Sequence, residues 1–200
     1  LEQGRLHDIN TIDLMGPLLA RLSHHFVDFP SEKPGIFHEL NKAYFQRIEA
    51  VEFALRHDDG QRTEELGNAD IVLLGVSRTF KTPLSVYMAH KGWLVANVPI
   101  IFGFEIPEIL STLPPERIFC LTTNPRRLSE LRQARDKHLG GLTGNYSNQI
   151  FVQNELDYAL KIFKKHPKWT IVNITFKPIE EISSEILSYL RKKGKVAQKL

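Results

Sequence analysis

The chain has 200 residues, of which 42% are hydrophobic, and a formal net charge of +3. A sequence of this length and composition can bury its own core, as one domain or as a domain with an extension, which excludes a mainly disordered chain. Its single cysteine, Cys120, excludes an internal disulfide framework and, within an apolar segment, is expected to be a buried core residue.

Helical and strand patterns alternate along most of the chain. Residues 1–35 contain short apolar pieces separated by prolines and a glycine, and we expect no regular element there. From Asn41 to about Arg56 apolar residues recur every three or four positions, which predicts one face of an amphipathic helix. Further strands are predicted at 69–74, 93–98, 117–122 and 169–175, and further helices at 82–91, 125–138, 150–165 and 178–192.

This alternation predicts an α/β fold with a mainly parallel sheet and flanking helices. Ligands of such sheets bind beyond the carboxyl ends of the strands, where the loop after Leu74 must lie. We expect residues 1–66 to form an N-terminal extension, irregular and helical in character, and residues 67–200 to form an α/β core with a P-loop-like nucleotide site.

The loop after the first predicted strand nearly matches a nucleotide-binding P-loop. Its eight residues are Gly75, Val76, Ser77, Arg78, Thr79, Phe80, Lys81 and Thr82. In the pattern G-x-x-x-x-G-K-[ST], backbone N–H groups surround the phosphates, the lysine neutralises their charge and the hydroxyl reaches Mg²⁺. Gly75, Lys81 and Thr82 stand at the required spacing. A βα turn that happens to contain lysine and threonine is the alternative.

Phe80 occupies the position of the second glycine of the pattern. A side chain with positive φ is costly where glycine is free, so Phe80 is expected to weaken phosphate binding relative to a small residue. The opposite effect is expected if Phe80 stacks on a base or on a partner.

Acidic and basic residues outside the loop could complete a phosphoryl-transfer site. Such a site needs a carboxylate. Asp58 and Asp59 stand at the end of the first predicted helix, where stability alone favours Lys or Arg, although an Asp-Gly turn explains them equally well. His57 is a second candidate base.

Three arginines are candidate phosphate ligands. Arg78, inside the loop, would stabilise the charge of a transferring phosphate. Arg132 and Arg135 lie three residues apart on one predicted helix face and could bind a phosphate or a phosphorylated partner. The alternative for this pair is a solvated face with ion pairs to Glu130 or Asp136.

Many further short segments carry a family resemblance. They are residues 47–50, 57–61, 69–73, 75–79, 81–85, 91–92 and 95–99, followed by Pro125, Leu128, Arg132, Arg135, Tyr146, 155–156 and 179–181. Together they resemble the regulatory proteins of pyruvate, phosphate dikinase. Members of that family are bifunctional: they inactivate the dikinase by phosphorylating a threonine with ADP, and they reverse this with inorganic phosphate, releasing pyrophosphate.

The resemblance implies roles, cofactors and partners. It implies that Asp58 and Asp59 act in catalysis, one as general base and the other toward metal, with ADP, Mg²⁺ and inorganic phosphate as the small molecules. The implied partner is pyruvate, phosphate dikinase, and residues 79–85 and 91–92 look more like the group that acts on it. A sister group acts on phosphoenolpyruvate synthase, and Asn173 looks more like that group. It also implies a larger N-terminal region, of which residues 1–66 would be the remnant. The oligomeric state stays open, with a homodimer as one candidate.

The sequence further predicts a cytoplasmic protein without membrane or nucleic-acid partners. No apolar run approaches the roughly 20 residues that span a bilayer, and no signal-peptide pattern opens the chain. The basic run at 191–195 lacks interleaved aromatic residues, so a solvated C-terminus is favoured over nucleic-acid binding.

Overall fold

The computed structural model describes residue 7 and residues 10–26, 36–138 and 144–192. The chain divides into two compact units, one up to Leu40 and one from Asn41 onward. The first unit contains helix α1, Gly16–Phe26. The second contains the sheet and the candidate site.

Helix α1 corrects the expectation that residues 1–35 hold no regular element. Pro17 is the second residue of the helix, where a missing N–H costs nothing, and the Gly16 N–H donates to Asp13 Oδ1 at 2.7 Å. The Gly-Pro pair therefore starts a helix here and does not mark a loop.

Helix α2, Ile36–Arg56, confirms the predicted helix and begins before Asn41. Among its residues from 42 to 56, where side-chain burial is described, Ala50, Phe53 and Ala54 are buried, whereas the larger apolar residues Tyr44 and Leu55 are 58% and 61% exposed. The small alanines and one aromatic ring therefore form the packed face of the helix.

Four parallel strands form one sheet in the order β2-β1-β3-β4. The strands are β1 Ile71–Gly75, β2 Val95–Pro99, β3 Ile118–Thr122 and β4 Thr170–Asn173. The remaining helices are α3 Lys81–Ala89, α4 Pro125–His138, α5 Gln149–Lys165 and α6 Ile179–Lys192. The predicted α/β fold with a parallel sheet and flanking helices is confirmed.

Successive residues of β1 pack on opposite faces of the sheet, as strand geometry requires. Val72 and Leu74 belong to one hydrophobic cluster with residues of α5, and Ile71 and Leu73 belong to a second with residues of α3 and α6. Residues before 67 also contribute, because Phe53 and Leu66 belong to the first cluster.

Cys120 is buried in the first cluster, as the sequence predicts, and burial raises the pKa of its thiol well above the ordinary value. Among the described residues, no helix is both long and apolar enough to cross a membrane.

The parallel sheet places the loops that follow its strands at one edge. β1 lies between β2 and β3, so the loop from Gly75 to α3 has neighbours on both sides. This edge carries the candidate site.

Candidate functional site at the carboxyl edge of the sheet

The loop between β1 and α3 turns through two residues with left-handed backbone. Arg78 has φ 69° and Phe80 has φ 60°. Neither is glycine, and a non-glycine residue in this region costs on the order of 1–3 kcal/mol. The loop therefore holds the positive φ that the P-loop pattern assigns to glycine at position 80, and its surroundings must stabilise it.

Gly75 permits the close approach that the loop requires. A Cβ atom at this position would lie 2.6 Å from Thr79 Oγ1 and 3.1 Å from the carbonyl oxygen of Leu121. Backbone on one side and a buried hydroxyl on the other leave no room for a side chain. Glycine is therefore needed here for packing.

Buried donors hold two carbonyl groups of the loop. The Val76 carbonyl accepts hydrogen bonds from Thr79 Oγ1 at 2.8 Å and from Lys81 Nζ at 3.2 Å. The Ser77 carbonyl accepts one from Arg132 Nη2 at 3.2 Å. All three donor side chains are buried, so these bonds stabilise the strained backbone with little competition from water.

Lys81 is only 5% exposed. Burial lowers its pKa from 10.5 to about 8, although Asp59 and Asp58 favour the charged form and oppose this shift. The amine therefore changes its charge near physiological pH. An anion bound beside it would favour the protonated form.

A short 3-10 helix at Asp58–Gly60 follows α2 and carries the two candidate carboxylates. Asn97 of β2 connects them: its amide nitrogen donates a short hydrogen bond to Asp58 Oδ1, and its Oδ1 accepts the Asp59 N–H at 2.9 Å. Thr82 Oγ1 also donates to Asp58 Oδ1, at 2.8 Å. The turn is therefore fixed both to β2 and to the first turn of α3.

A cavity of about 390 Å³ opens beside the loop. It is lined by Asp59, Ser77, Arg78, Phe80, Lys81, Thr82, Pro83, Leu131 and Arg135. Most of the site residues named from the sequence thus line one cavity. Asp58 is not among the lining residues but is bonded to Thr82, which is. The cavity combines three cationic side chains with one carboxylate.

Arg132 lies elsewhere, fully buried beneath the loop. Its Nη1 lies 2.5 Å from Glu155 Oε2 and donates to the Tyr146 carbonyl at 3.1 Å, and its guanidinium lies 4.5 Å from the Tyr146 ring centre. The hydroxyl groups of Ser77 and Tyr146 share a hydrogen bond of 2.8 Å. The guanidinium thus connects the loop to α5 and to the short helix Gly144–Ser147.

The alternative of a solvated helix face is wrong for Arg132, which is buried and pairs with Glu155. Arg135 is exposed, as that alternative expects, while Glu130 pairs with Arg126 and Arg127. His57 is fully buried, with its ring stacked on Phe53 at a centroid distance of 3.8 Å. In this position His57 has a packing role, next to the short 3-10 helix Asp58–Gly60.

Three residues of the site were not predicted from the sequence. Asn97 was given no individual role, and Glu155 and Tyr146 were named only among the residues that carry the family resemblance. Asn97 could have been found from the sequence, because it is a polar residue within an apolar predicted strand. It is fully buried within β2. The partners of Arg132 gave no local signal, because Glu155 is 23 positions away and Tyr146 is 14 away in sequence.

Comparison with known proteins finds relatives along nearly the whole chain. The profile of a family described as kinase/pyrophosphorylase matches residues 1–187. A candidate pyruvate, phosphate dikinase regulatory protein of Geobacter sulfurreducens is 39% identical over 190 residues, which cover 94% of this chain and 71% of that protein. One from Geotalea uraniireducens is 43% identical over 186 residues, 92% of this chain and 69% of its own length. The chloroplastic pyruvate, phosphate dikinase regulatory protein 1 of Arabidopsis thaliana is 44% identical over 188 residues, 92% of this chain and 47% of its own length.

Proposed function

Because the chain belongs to the kinase/pyrophosphorylase family, we propose that it is a bifunctional regulatory enzyme of pyruvate, phosphate dikinase. It transfers the β-phosphoryl group of ADP to a threonine of the dikinase and removes that group with inorganic phosphate, releasing pyrophosphate. The observation that carries this proposal is the cavity in which Lys81, Arg78 and Arg135 face Asp59 beside the loop after β1.

The phosphates of ADP bind at the loop formed by residues 75–82. Lys81 and Arg78 supply positive charge at the cavity wall, and Arg135 adds a third cation from α4. Fixed cations that meet developing negative charge stabilise phosphoryl transfer without reorganisation during the reaction. Lys81 exchanges its bond to the Val76 carbonyl for a phosphate oxygen when the nucleotide binds.

Asp59 acts as the general base and Asp58 as the metal-side carboxylate. Asp59 lines the cavity, where a carboxylate can take the proton of an attacking hydroxyl, whereas Asp58 is bonded to Thr82 and Asn97. The carboxylate of Asp58 and the hydroxyl of Thr82 are oxygen donors of the kind that Mg²⁺ prefers, so these two residues would hold it. Bound there with substrate phosphates, Mg²⁺ would neutralise part of their charge.

The protein ligands of this metal site are few. Among the described residues no group of three or more His, Cys, Asp or Glu side chains is placed to hold a metal ion. That fits Mg²⁺, which is usually bound by one or two carboxylates together with substrate phosphates and water.

One centre serves both directions. In the forward reaction the threonine oxygen attacks the β-phosphorus of ADP, its proton passes to Asp59, and AMP leaves. In the reverse reaction an oxygen of orthophosphate attacks the phosphothreonine phosphorus, the threonine oxygen leaves and takes a proton, and pyrophosphate forms. Both reactions place a phosphoryl group between two oxygen atoms, which is why one set of cations and one base suffice.

A second target, phosphoenolpyruvate synthase, is favoured by one observation. Asn173, at the end of β4, stands where regulators of the dikinase usually have aspartate, and the residue there looks more like the sister group. The same chemistry would apply to either target. A nucleotide-binding module without catalysis is the remaining alternative, for which the unusual Phe80 is the argument.

The test is an assay with the phosphohistidine form of the dikinase, ADP and Mg²⁺, with threonine phosphorylation read by mass spectrometry. We expect ADP to serve as donor, ATP to serve poorly, and Asp59→Asn to be inactive. Parallel reactions with the synthase identify the target. Nucleotide binding without phosphorylation of either protein would favour the binding module, and a preference for ATP would contradict the proposal.

A further inference from the structure

A second cavity, of about 300 Å³, lies at the same edge of the sheet. It is lined by Phe80, Thr123, Arg127, Ile174, Phe176, Lys177 and Pro178. These residues come from the phosphate loop and from the chain that follows β3 and β4. Phe80 lines both cavities, so the second cavity adjoins the proposed phosphate site.

The second cavity has an exposed aromatic platform. Phe176 is 78% exposed and has φ 57°, a conformation that is unfavourable for a bulky residue without a compensating role. The Arg127 guanidinium lies over its ring, 5.4 Å from the centroid. An exposed phenyl ring beside a cavity offers a stacking surface for a flat ligand.

The charged groups of this cavity are already paired. Arg127 Nη1 lies 3.4 Å from Glu130 Oε2, and Lys177 Nζ lies 2.6 Å from Glu185 Oε2. The remaining lining is mostly apolar, with Phe80, Ile174 and Pro178 beside the platform. A phosphate or an acidic peptide would have to compete with these carboxylates, whereas a neutral aromatic heterocycle would not.

Polar groups for recognition are also present. Thr123 lines the cavity, and its hydroxyl lies 3.3 Å from the hydroxyl of Thr175, whose Oγ1 donates to Asn173 Oδ1 at 2.7 Å. An apolar cavity with a few fixed polar groups is typical of small-molecule sites, and its volume lies at the lower end of their range of about 300–1,000 Å³.

We infer that this second cavity holds the nucleobase of the nucleoside diphosphate whose phosphates lie at residues 75–82. The inference rests on the proposed function, because it takes the phosphate site as given. Phe80 then has a role that glycine would lack: it forms the wall shared by the phosphate and base positions. The nucleobase stacks on Phe176.

The test compares ADP with inorganic pyrophosphate, which carries a diphosphate but no base, by calorimetry on the whole chain. Loss of a base–aromatic stack is worth about 1–3 kcal/mol, so Phe176→Ala should weaken ADP binding by about 5- to 150-fold and leave pyrophosphate binding unchanged. Phe176→Tyr keeps the ring and should retain ADP affinity. Phe102→Ala removes an exposed ring that lines neither cavity and is the matched control.

Each other outcome has a distinct meaning. Equal ADP affinity for Phe176→Ala and wild type overturns the nucleobase site and leaves the phosphate site standing. A raised KM for the protein acceptor with unchanged ADP affinity would make the cavity an acceptor site, which also overturns it. Wild-type protein that binds neither ADP nor pyrophosphate would defeat the proposed function and the inference together.

Discussion

The loop of residues 75–82 is supported differently on its two sides. Toward β2, the end of the loop meets Asp58 through the exposed hydroxyl of Thr82, next to the cavity. Toward α4, the loop rests on the fully buried guanidinium of Arg132, which is paired with Glu155. On the first side the Thr82 hydroxyl is exposed, whereas on the second side Arg132 is enclosed, although Arg135 of the same helix α4 lines the cavity. We therefore expect the contact between Asp58 and Thr82 to serve the chemistry and the buried guanidinium of Arg132 to give mechanical support.

The largest loss of transfer activity is expected from substitutions on the β2 side. Asp59→Asn should lower the transfer rate in both directions by about 10²- to 10⁴-fold, because it removes the base, while ADP binding stays near the wild-type value. Phosphorylation and pyrophosphate release are measured with the same enzyme preparation. Asp58→Asn is the companion variant, and it should raise the Mg²⁺ concentration needed for activity. Full activity in both variants would place the base at another residue.

On the α4 side, substitutions should lower the free energy of unfolding. Arg132→Met leaves the partly buried carboxylate of Glu155, which is 16% exposed, without its partner. Breaking a fully buried pair costs about 3–5 kcal/mol of the free energy of unfolding, so we expect a loss toward the lower end of that range. The double variant Arg132→Met, Glu155→Leu should recover much of that loss. Denaturant unfolding measures the free energy of unfolding of the single and the double variant. If Arg132→Met kept its stability and lost only phosphate affinity, Arg132 would be a ligand, and the contrast between the two sides would fail.

Lys81→Ala is expected to weaken ADP binding by about 10- to 100-fold, the usual range for a hydrogen bond to a charged group. The substitution removes a cation from the cavity wall and a bond to the Val76 carbonyl. Calorimetry gives the affinity, and circular dichroism checks that the fold is retained. Equal ADP binding by the variant and the wild type would contradict the assignment of the loop.

The pH dependence of binding follows from the pKa of Lys81, which burial lowers to about 8. The folded pKa lies below the unfolded one, so the charged amine destabilises the free protein below about pH 8, and this penalty fades as the pH rises toward 10.5. A bound phosphate favours the charged form of the Lys81 amine. ADP affinity should therefore fall above about pH 8, with proton uptake on binding that is visible as buffer-dependent heats. A flat affinity between about pH 7 and 9 would be inconsistent with a titrating Lys81.

Phe80→Gly should give the smallest change in ligand affinity. It separates the effect of backbone strain at position 80 from the effect of the Phe80 ring. Glycine adopts φ 60° without strain, so pyrophosphate affinity should rise a few-fold. ADP should gain less or lose affinity, because the wall shared by the two cavities is removed. Parallel titrations of both ligands measure the difference. Reduced pyrophosphate affinity would show that strain at position 80 does not limit phosphate binding.

The two sides of the loop also differ in how far the sequence predicts them. The strands, the later helices and the loop follow from local patterns, because apolar runs and helical periodicity are properties of neighbouring residues. The same periodicity places Arg132 and Arg135 on one helix face, yet one is fully buried and the other lines the cavity. Their difference depends on Glu155 and Tyr146, which only the tertiary fold brings to α4. Helix α1 was missed because Gly16-Pro17 is typical of a turn as well as of a helix start.

The proposal that one centre transfers a phosphoryl group both from ADP and to inorganic phosphate is tested by the release of pyrophosphate. Threonine-phosphorylated dikinase is incubated with the chain, Mg²⁺ and orthophosphate. We expect one pyrophosphate for each threonine dephosphorylated, no release without orthophosphate, and loss of release in Asp59→Asn. Dephosphorylation that proceeds without orthophosphate, or that yields orthophosphate in place of pyrophosphate, would contradict the proposal.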